Sequence, residues 1–501
     1  MDRRRFLKIL IAGGAASLLN RSFGQRSPDL LDRFRALPDP QINTFSSEIV
    51  LNSRRSYHSG YSGILSDQIL ANILWAAAKA PMIGTSRTIY VARPDNVYRY
   101  DPVEHDIVLH LAGNRMSEAN CAFEVGVASD LSEDAGIALH YAHLASIAFW
   151  TTTSNQPSGC PKESARTNAN NTWNPALSIQ MVNCHGLMPT VSGITNALVA
   201  ISSDGSLPNP STDGTVILEN GLANLLYGNQ FASNELSLNE LSQLAWASYG
   251  NTPHTASGNR AALTIASAVA NYYLTGRIYI VRSEGVERYQ IRLPSGQVTT
   301  RDHRIERVTD GDHRPQLRAA VARIPQTAPN YFVYCAAIAD RWQLIEAGYC
   351  AASALLQVTS LSRQGYFTAN FSSSERTAII NALGIPSTDL PLVIFSAGQP
   401  LVGVSERNHD AVKYLAASPN PFKTSTKIRY GLDSTRHVKI VIYDQAGRCL
   451  KVLADRTQSK GDFYVVWNGR DNHGNAVPKG IYYSVLSAGS SEHKEKLIKL
   501  M

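Results

Sequence analysis

Apolar positions at Ile69, Leu70, Ile73, Leu74 and Ala77 fall at helical spacing and predict a helix over 65–78. The phrase that carries it returns 171 residues later. Leu65-Ser66-Asp67-Gln68-Ile69-Leu70-Ala71-Asn72-Ile73-Leu74-Trp75-Ala76 becomes Leu236-Ser237-Leu238-Asn239-Glu240-Leu241-Ser242-Gln243-Leu244-Ala245-Trp246-Ala247. In the second copy Ser237 and Glu240 have capping-box spacing, which marks a helix start. Each helix is followed by two short strands with a turn between them. These read Ile89-Tyr90-Val91 and Val97-Tyr98-Arg99-Tyr100 in the first copy, and Ile278–Val281 and Val286–Tyr289 in the second. The offset has then grown to 189, so the second copy holds 18 more residues, around Ser257 to Gly276. Each copy later offers an apolar strand and an Ala-rich helix: 122–128 then 137–149, and 331–339 then 344–358. Small residues at Ala347, Gly348, Ala351, Ala352 and Ala354 permit close helix packing. The intervening 151–215 is rich in Ser, Thr, Asn and Pro and reads in part as a long surface excursion. From about Ser418 the period changes to two, as in half-buried strands.

These patterns predict an α+β body of two related modules, 46–200 and 207–402, and an all-β sandwich over 418–501. At the module entries the copies differ in charge. Arg54-Arg55-Ser56 occupies the positions of Leu225-Leu226-Tyr227. The first suits an anion and the second does not.

The chain has formal charge +7. Residues 1–25 carry five cationic side chains and Asp2, so about +3 remains without them. No long Lys/Arg stripe survives, which argues against nucleic acid. Six cysteines are scattered with no CxxC pair, poor evidence for a zinc or iron–sulfur site. Cys160 and Cys184 are the most loop-like disulfide candidates, and Cys335 and Cys350 read as small buried apolar residues.

Arg3-Arg4-Arg5-Phe6-Leu7-Lys8, followed by an apolar run from Ile9 to Leu19, resembles a twin-arginine export signal. That run is 11 residues, short of the roughly 20 a membrane span needs. The resemblance implies an exported protein: periplasmic, cell-surface or secreted. In the tail, Asn420-Pro421-Phe422, Val438–Arg448 and Trp467–Tyr483 resemble the flagellar-hook-capping-type immunoglobulin-like domain and C-terminal sorting domains of secreted proteins. The likeness implies an immunoglobulin-like sandwich that contacts secretion machinery or the cell surface. Asp471 and Asn472 read as a tight turn in preference to calcium ligands.

The body resembles the nitroreductase-like superfamily, in the branch that includes thiazoline and oxazoline dehydrogenases. The matching phrases are Arg54-Arg55-Ser56, Val97–Pro102, Leu207–Pro210, Leu236–Gly250, Gly311–Leu317 and Glu346-Ala347-Gly348. Members hold FMN between two like subunits, so the two modules would form a pseudo-dimer. The resemblance implies hydride transfer through flavin N5 from NAD(P)H or another donor to a small-molecule or peptide substrate. The implied FMN ligands are Arg54, Arg55 and Ser56 from one module and Arg260 and Ser267 from the other. Arg363 would reach the phosphate, and His58 stands where the family pattern has another arginine. The matching stretch 260–270 lacks the family's proline and glycine, and packing explains it as readily. No secure Lys–Tyr proton-transfer pair is found, so catalytic residues stay unassigned. The alternative is a degenerate module that keeps the fold and binds a peptide or surface partner without turnover.

Other residues have plainer readings. Trp75 and Trp246 at matching positions read as core anchors. Cys184-His185 lacks further ligands at readable spacing, so no metal site is expected. His303 and His313 read as polar loop residues between strands.

Overall fold

The computed structural model describes residues 34–500 apart from 58–59, 62, 152–155, 189–192, 198–203, 257–259, 268–270, 292–301, 402–411, 433–435, 445–447, 460, 473 and 489–490. The export signal and His58 therefore lie outside the described residues. The chain divides into two compact units, a body over Ser27–Leu401 and a unit that includes Val402–Met501.

The body holds two antiparallel sheets. The first contains β1 (Phe34–Ala36), β2 (Arg87–Ala92), β3 (Asn96–Asp101), β4 (Asp106–Ala112), β5 (Phe123–Ser129), β6 (Gln156–Pro161) and β7 (Ile179–Met188). Its helices are α1 (Ser47–Ser53), α2 (Asp67–Lys79), α3 (Ser132–Ile147) and α4 (Glu163–Thr172). The second half begins with α5 (Leu218–Ala223), α6 (Leu238–Tyr249) and a hairpin of β8 (Asn251–Ala256) and β9 (Arg260–Leu263). Then come β10 (Ile278–Arg282), β11 (Gly285–Gln290), β12 (Arg304–Asp310), α7 (Arg314–Ala320) and β13 (Asn330–Ala336). It ends with α8 (Arg341–Ser360), β14 (Gln364–Thr368), α9 (Ser373–Leu383) and β15 (Leu390–Gly398).

The sheets run β1-β4-β3-β2-β5-β7-β6 and β12-β11-β10-β13-β15-β14. Setting β1 aside, the two have the same strand order. Strand β9 falls within 257–276, where the second Trp-helix phrase stands 18 residues further from its strands than the first. The excursion read within 151–215 is corrected in its first part, which contributes β6, α4 and β7; the described residues of 193–215 form no helix or strand. Every residue of β6 is buried. Its two prolines are tolerated because β6 is an edge strand, where an N–H can be forgone.

Between the sheets α3 packs on α8. Every residue of α3 is buried, so it carries no polar face. The crossing is close at two glycines. A Cβ on Gly136 would lie 2.5 Å from the Ile345 carbonyl oxygen, and one on Gly348 would lie 2.3 Å from that of Glu133. Backbone meets backbone there, so neither position has room for a methyl group. His140 Nε2 meets Ser353 Oγ at 2.7 Å, and Tyr141 donates to the Ala352 carbonyl at 3.0 Å. Each helix thus satisfies polar groups of the other, as burial demands.

The second unit is a two-sheet sandwich. Strands β16 (Val412–Ser418), β17 (Thr426–Leu432) and β20 (Gly461–Trp467) form one sheet. The other is β19 (Cys449–Gln458), β18 (Arg436–Asp444), β21 (Gly480–Ala488) and β22 (Ser491–Lys499). Trp467 is fully buried, with Phe422 and Tyr482 edge-on at 5.3 and 5.2 Å. Asp471 Oδ1 accepts the Asn475 N–H at 2.9 Å, closing the expected turn.

Gly348→Val or Gly136→Val is expected to destabilise the body by roughly 1–3 kcal/mol or more by overpacking. Thermal or urea unfolding of the purified variants checks this. Unchanged unfolding in both would mean that the helices do not cross this closely.

Candidate functional site

The seam between the halves is built from the end of α1. Ser46 caps that helix by accepting the Ile49 N–H at 3.2 Å. The backbone turns extended at Arg54 (φ −57°, ψ 125°), and the side chain enters the other half. Arg54 Nε and Nη2 both donate to the Leu263 carbonyl, at 3.0 and 2.8 Å, and Nη1 donates to Ser56 Oγ at 3.1 Å. Arg54 is only 3% exposed. Burial lowers its pKa, a trend opposed by Tyr272 and Tyr349. The cation in turn helps hold nearby imidazoles neutral. Burial first, then Arg54, pushes His140 down to about 3, and His143 is also pushed down. Neutral His143 donates Nε2–H to the Arg55 carbonyl at 2.9 Å.

Arg55 turns elsewhere. Its guanidinium lies 5.5 Å from the Trp150 ring centroid, and Nη2 donates to the Gly193 carbonyl at 3.2 Å. Ser267 donates to Glu346 Oε2 at 2.5 Å and accepts the Tyr272 N–H at 2.8 Å. Arg363 pairs with Glu240 at 2.7 Å. Glu240 belongs to the capping box of α6, while Asn251, just beyond the other end of α6, pairs with Leu263. The intervening turns of helix put Arg363 roughly 15 Å along α6 from the Arg54 contact. Arg260 lies on β9 opposite Ala256. Arg54 therefore reaches Leu263 across the seam, whereas Arg363 stands at the far end of α6.

Glu346 organises the second side of this seam. It is 1% exposed and also accepts the Tyr249 hydroxyl at 2.8 Å and the Leu274 N–H at 3.2 Å. Its sequence signals were its place in the Glu346-Ala347-Gly348 phrase and an acidic side chain inside an otherwise Ala-rich helix. Burial raises its pKa from 4.5 to about 7, against the hydrogen bonds from Ser267 and Tyr249.

At the positions matching 54–56, Leu226 N–H donates to Thr359 Oγ1 at 3.0 Å, and Tyr227 stacks on Tyr366 at 5.0 Å. Trp246 is a core residue, 1% exposed, with Nε1 on the Asn251 carbonyl at 3.1 Å. Trp75 also packs against the core but is only partly buried, with the Lys79 ammonium 5.3 Å from its ring centroid. His303 is a correction. It is 2% exposed and sits between Ser242 Oγ and Tyr289 Oη, at 2.7 and 2.8 Å. Cys184 and His185 project to opposite faces of β7, as strand neighbours must.

A family model described as FlgD Ig-like domain matches residues 421–492. No curated protein matches the chain. Among solved structures, a protein assigned as a nitroreductase from Anabaena variabilis aligns at 12% identity and TM-score 0.48, over 76% of this chain and 97% of its own. One similarly assigned from Ralstonia eutropha aligns at 19% identity and TM-score 0.30, over 41% of this chain and 96% of its own. The microcin synthetase McbBCD complex of E. coli gives 17% identity and TM-score 0.28, over 36% and 70%. The likeness to nitroreductases is thus distant and partial. Among the described residues, no helix is long and apolar enough to cross a membrane.

The raised pKa of Glu346 has a definite sign. A carboxyl whose folded pKa exceeds its unfolded one favours folding fully below the unfolded value. That contribution is lost as pH rises from about 4.5 through about 7. The wild-type chain should lose stability relative to Glu346→Gln between pH 4.5 and 8, on the order of 3 kcal/mol. Denaturant unfolding at both pH values checks this, and an equal difference at both would contradict it.

Proposed function

We propose that the chain is an exported binding or surface protein. Its body is a duplicated nitroreductase-like scaffold, arranged as a pseudo-dimer, whose flavin-site positions now serve as internal ties. The recurring phrase and the shared strand order of the two sheets support the duplication. The matched immunoglobulin-like domain and the twin-arginine-like opening support export, with the sandwich as the contact to secretion machinery or the cell surface.

The observation that carries this reading is the closure of the Arg54 fork on the Leu263 carbonyl at a 3% exposed position. An FMN phosphate is close to a dianion and needs open forks and amides. Arg54 is enclosed, Arg55 lies on Trp150, Ser267 is bound to Glu346, and Arg363 is bound to a carboxylate. These donors do not fit a phosphate as they stand.

The second reading is an FMN-dependent oxidoreductase of the azoline-dehydrogenase type, with Arg54, Arg55, Ser56, His58, Arg260, Ser267 and Arg363 around the cofactor. One observation favours it: Arg54 bonds a carbonyl and a hydroxyl rather than a carboxylate, and the buried hydroxyls of Tyr349 and Thr252 lack hydrogen-bond partners. A buried cation without a counter-ion is costly, and an incoming anion would relieve it.

The full chain is expected to purify colourless and to leave the fluorescence of added FMN unchanged. Arg54→Ala is expected to cost roughly 1–3 kcal/mol in unfolding free energy, because it strands the Leu263 carbonyl. A yellow protein with stoichiometric flavin, released by Arg54→Ala, would establish the second reading instead.

A further inference from the structure

Three thiols converge on the first sheet. Cys160 on β6 and Cys184 on β7 are direct cross-strand partners, so their earlier reading as loop residues is corrected. Two residues along, the Lys162 N–H donates to the Val182 carbonyl at 2.9 Å, which pins the register. Opposed residues of an antiparallel pair have Cα atoms about 4.5–5.5 Å apart. A disulfide accepts about 4.4–6.8 Å. Cys121, on the segment entering β5, lies close enough to raise the Cys184 pKa, so Cys184 has a second thiol neighbour besides Cys160.

All three are buried. The Tyr61 hydroxyl donates to Cys160 Sγ at 3.2 Å, and a Cβ on Gly186 would touch the Tyr61 ring at 2.8 Å. Tyr61 follows Arg54–Ser56 closely in the chain, so the thiol cluster underlies the segment that carries the seam cation.

We propose that Cys160 and Cys184 form a disulfide that staples edge strand β6 to β7, with Cys121 as a resident thiol placed to exchange with Cys184. The oxidant is a small-molecule or protein disulfide. One cysteine attacks its sulfur as the thiolate, forming a mixed disulfide and releasing one thiol. The second cysteine attacks the mixed disulfide and releases the other thiol. The oxidant's S–S bond breaks, the protein's forms, and two protons and two electrons leave with the two released thiols. The reaction belongs to the stage when β6 is still docking, because burial pushes the Cys160 thiol up to about 12, and the neighbouring Cys121 thiol, then burial, push the Cys184 thiol up as well. A thiol held protonated is a poor nucleophile. The closed loop contains α4, so the bond restricts the unfolded chain over that whole segment.

The test refolds the full chain with reduced and oxidised glutathione. Free thiols are then alkylated in denaturant and the peptides mapped by mass spectrometry. The expected map joins Cys160 to Cys184. Cys335 and Cys350, buried in separate elements of the second half, should be alkylated, and exposed Cys449 should carry glutathione. The oxidised chain should melt several degrees above the reduced one. Cys160→Ser should divert the bond to Cys121–Cys184, and Cys184→Ser should leave no bond within the cluster. Alkylation of both Cys160 and Cys184 in a natively refolded chain overturns the proposal, as does a Cys121–Cys184 bond in the wild-type chain. If refolding or a variant fails, the same map on wild-type protein secreted into an oxidising compartment decides between these outcomes.

Discussion

The body depends on a contact that excludes side chains. Gly136 and Gly348 let α3 and α8 approach until the backbone of each meets that of the other. At that separation no solvent layer can serve the polar groups of either helix. His140 must find Ser353, and Tyr141 must find the Ala352 carbonyl. The sheets on either side are then bound into one compact unit rather than two loosely tethered modules.

The same closeness sets the chemistry of the seam. Arg54 enters a region with too little water to solvate a guanidinium, and it bonds a backbone carbonyl rather than a carboxylate. Glu346 is the corresponding buried acid on the other side. It is held by Tyr249, Ser267 and the Leu274 amide and shifted toward its neutral form. Both are expensive to bury alone. Their hydrogen bonds tie 54–56 and 267–274 to the helical core. An open phosphate site and a packed seam compete for the same donors, and here the seam holds them.

The legible parts of the sequence were those with a period or a repeat. The Trp-helix phrase, the paired strands and the alternating tail all depend on one face being buried and the other wet. α3 has no such period because it is buried on every side, and only its alanine content marked 137–149 as a helix. β6 was misread because Gln156-Pro157-Ser158-Gly159-Cys160-Pro161 has loop composition, whereas an edge position accommodates its prolines. Trp75 and Trp246 looked equivalent, but only Trp246 has the β8–β9 hairpin beside it and the Asn251 carbonyl for its indole. At the candidate site, the family resemblance set Arg54 against the stretch that follows α6, and Arg54 reaches Leu263 there. It could not say whether Arg54 would stay open to a ligand or close on a carbonyl, because that depends on where one backbone oxygen points.

Hydrogen exchange of the amides from Leu263 to Leu274, compared between the wild-type chain and Arg54→Ala, tests the central claim most directly. If Arg54 is a tie, its removal should raise exchange rates at Leu263 and Thr264 at least tenfold, as expected for a loss of about 1.4 kcal/mol or more in local opening energy, and leave the immunoglobulin-like unit unaffected. Unchanged protection at these amides would contradict the account and return Arg54 to the role of a ligand-facing cation.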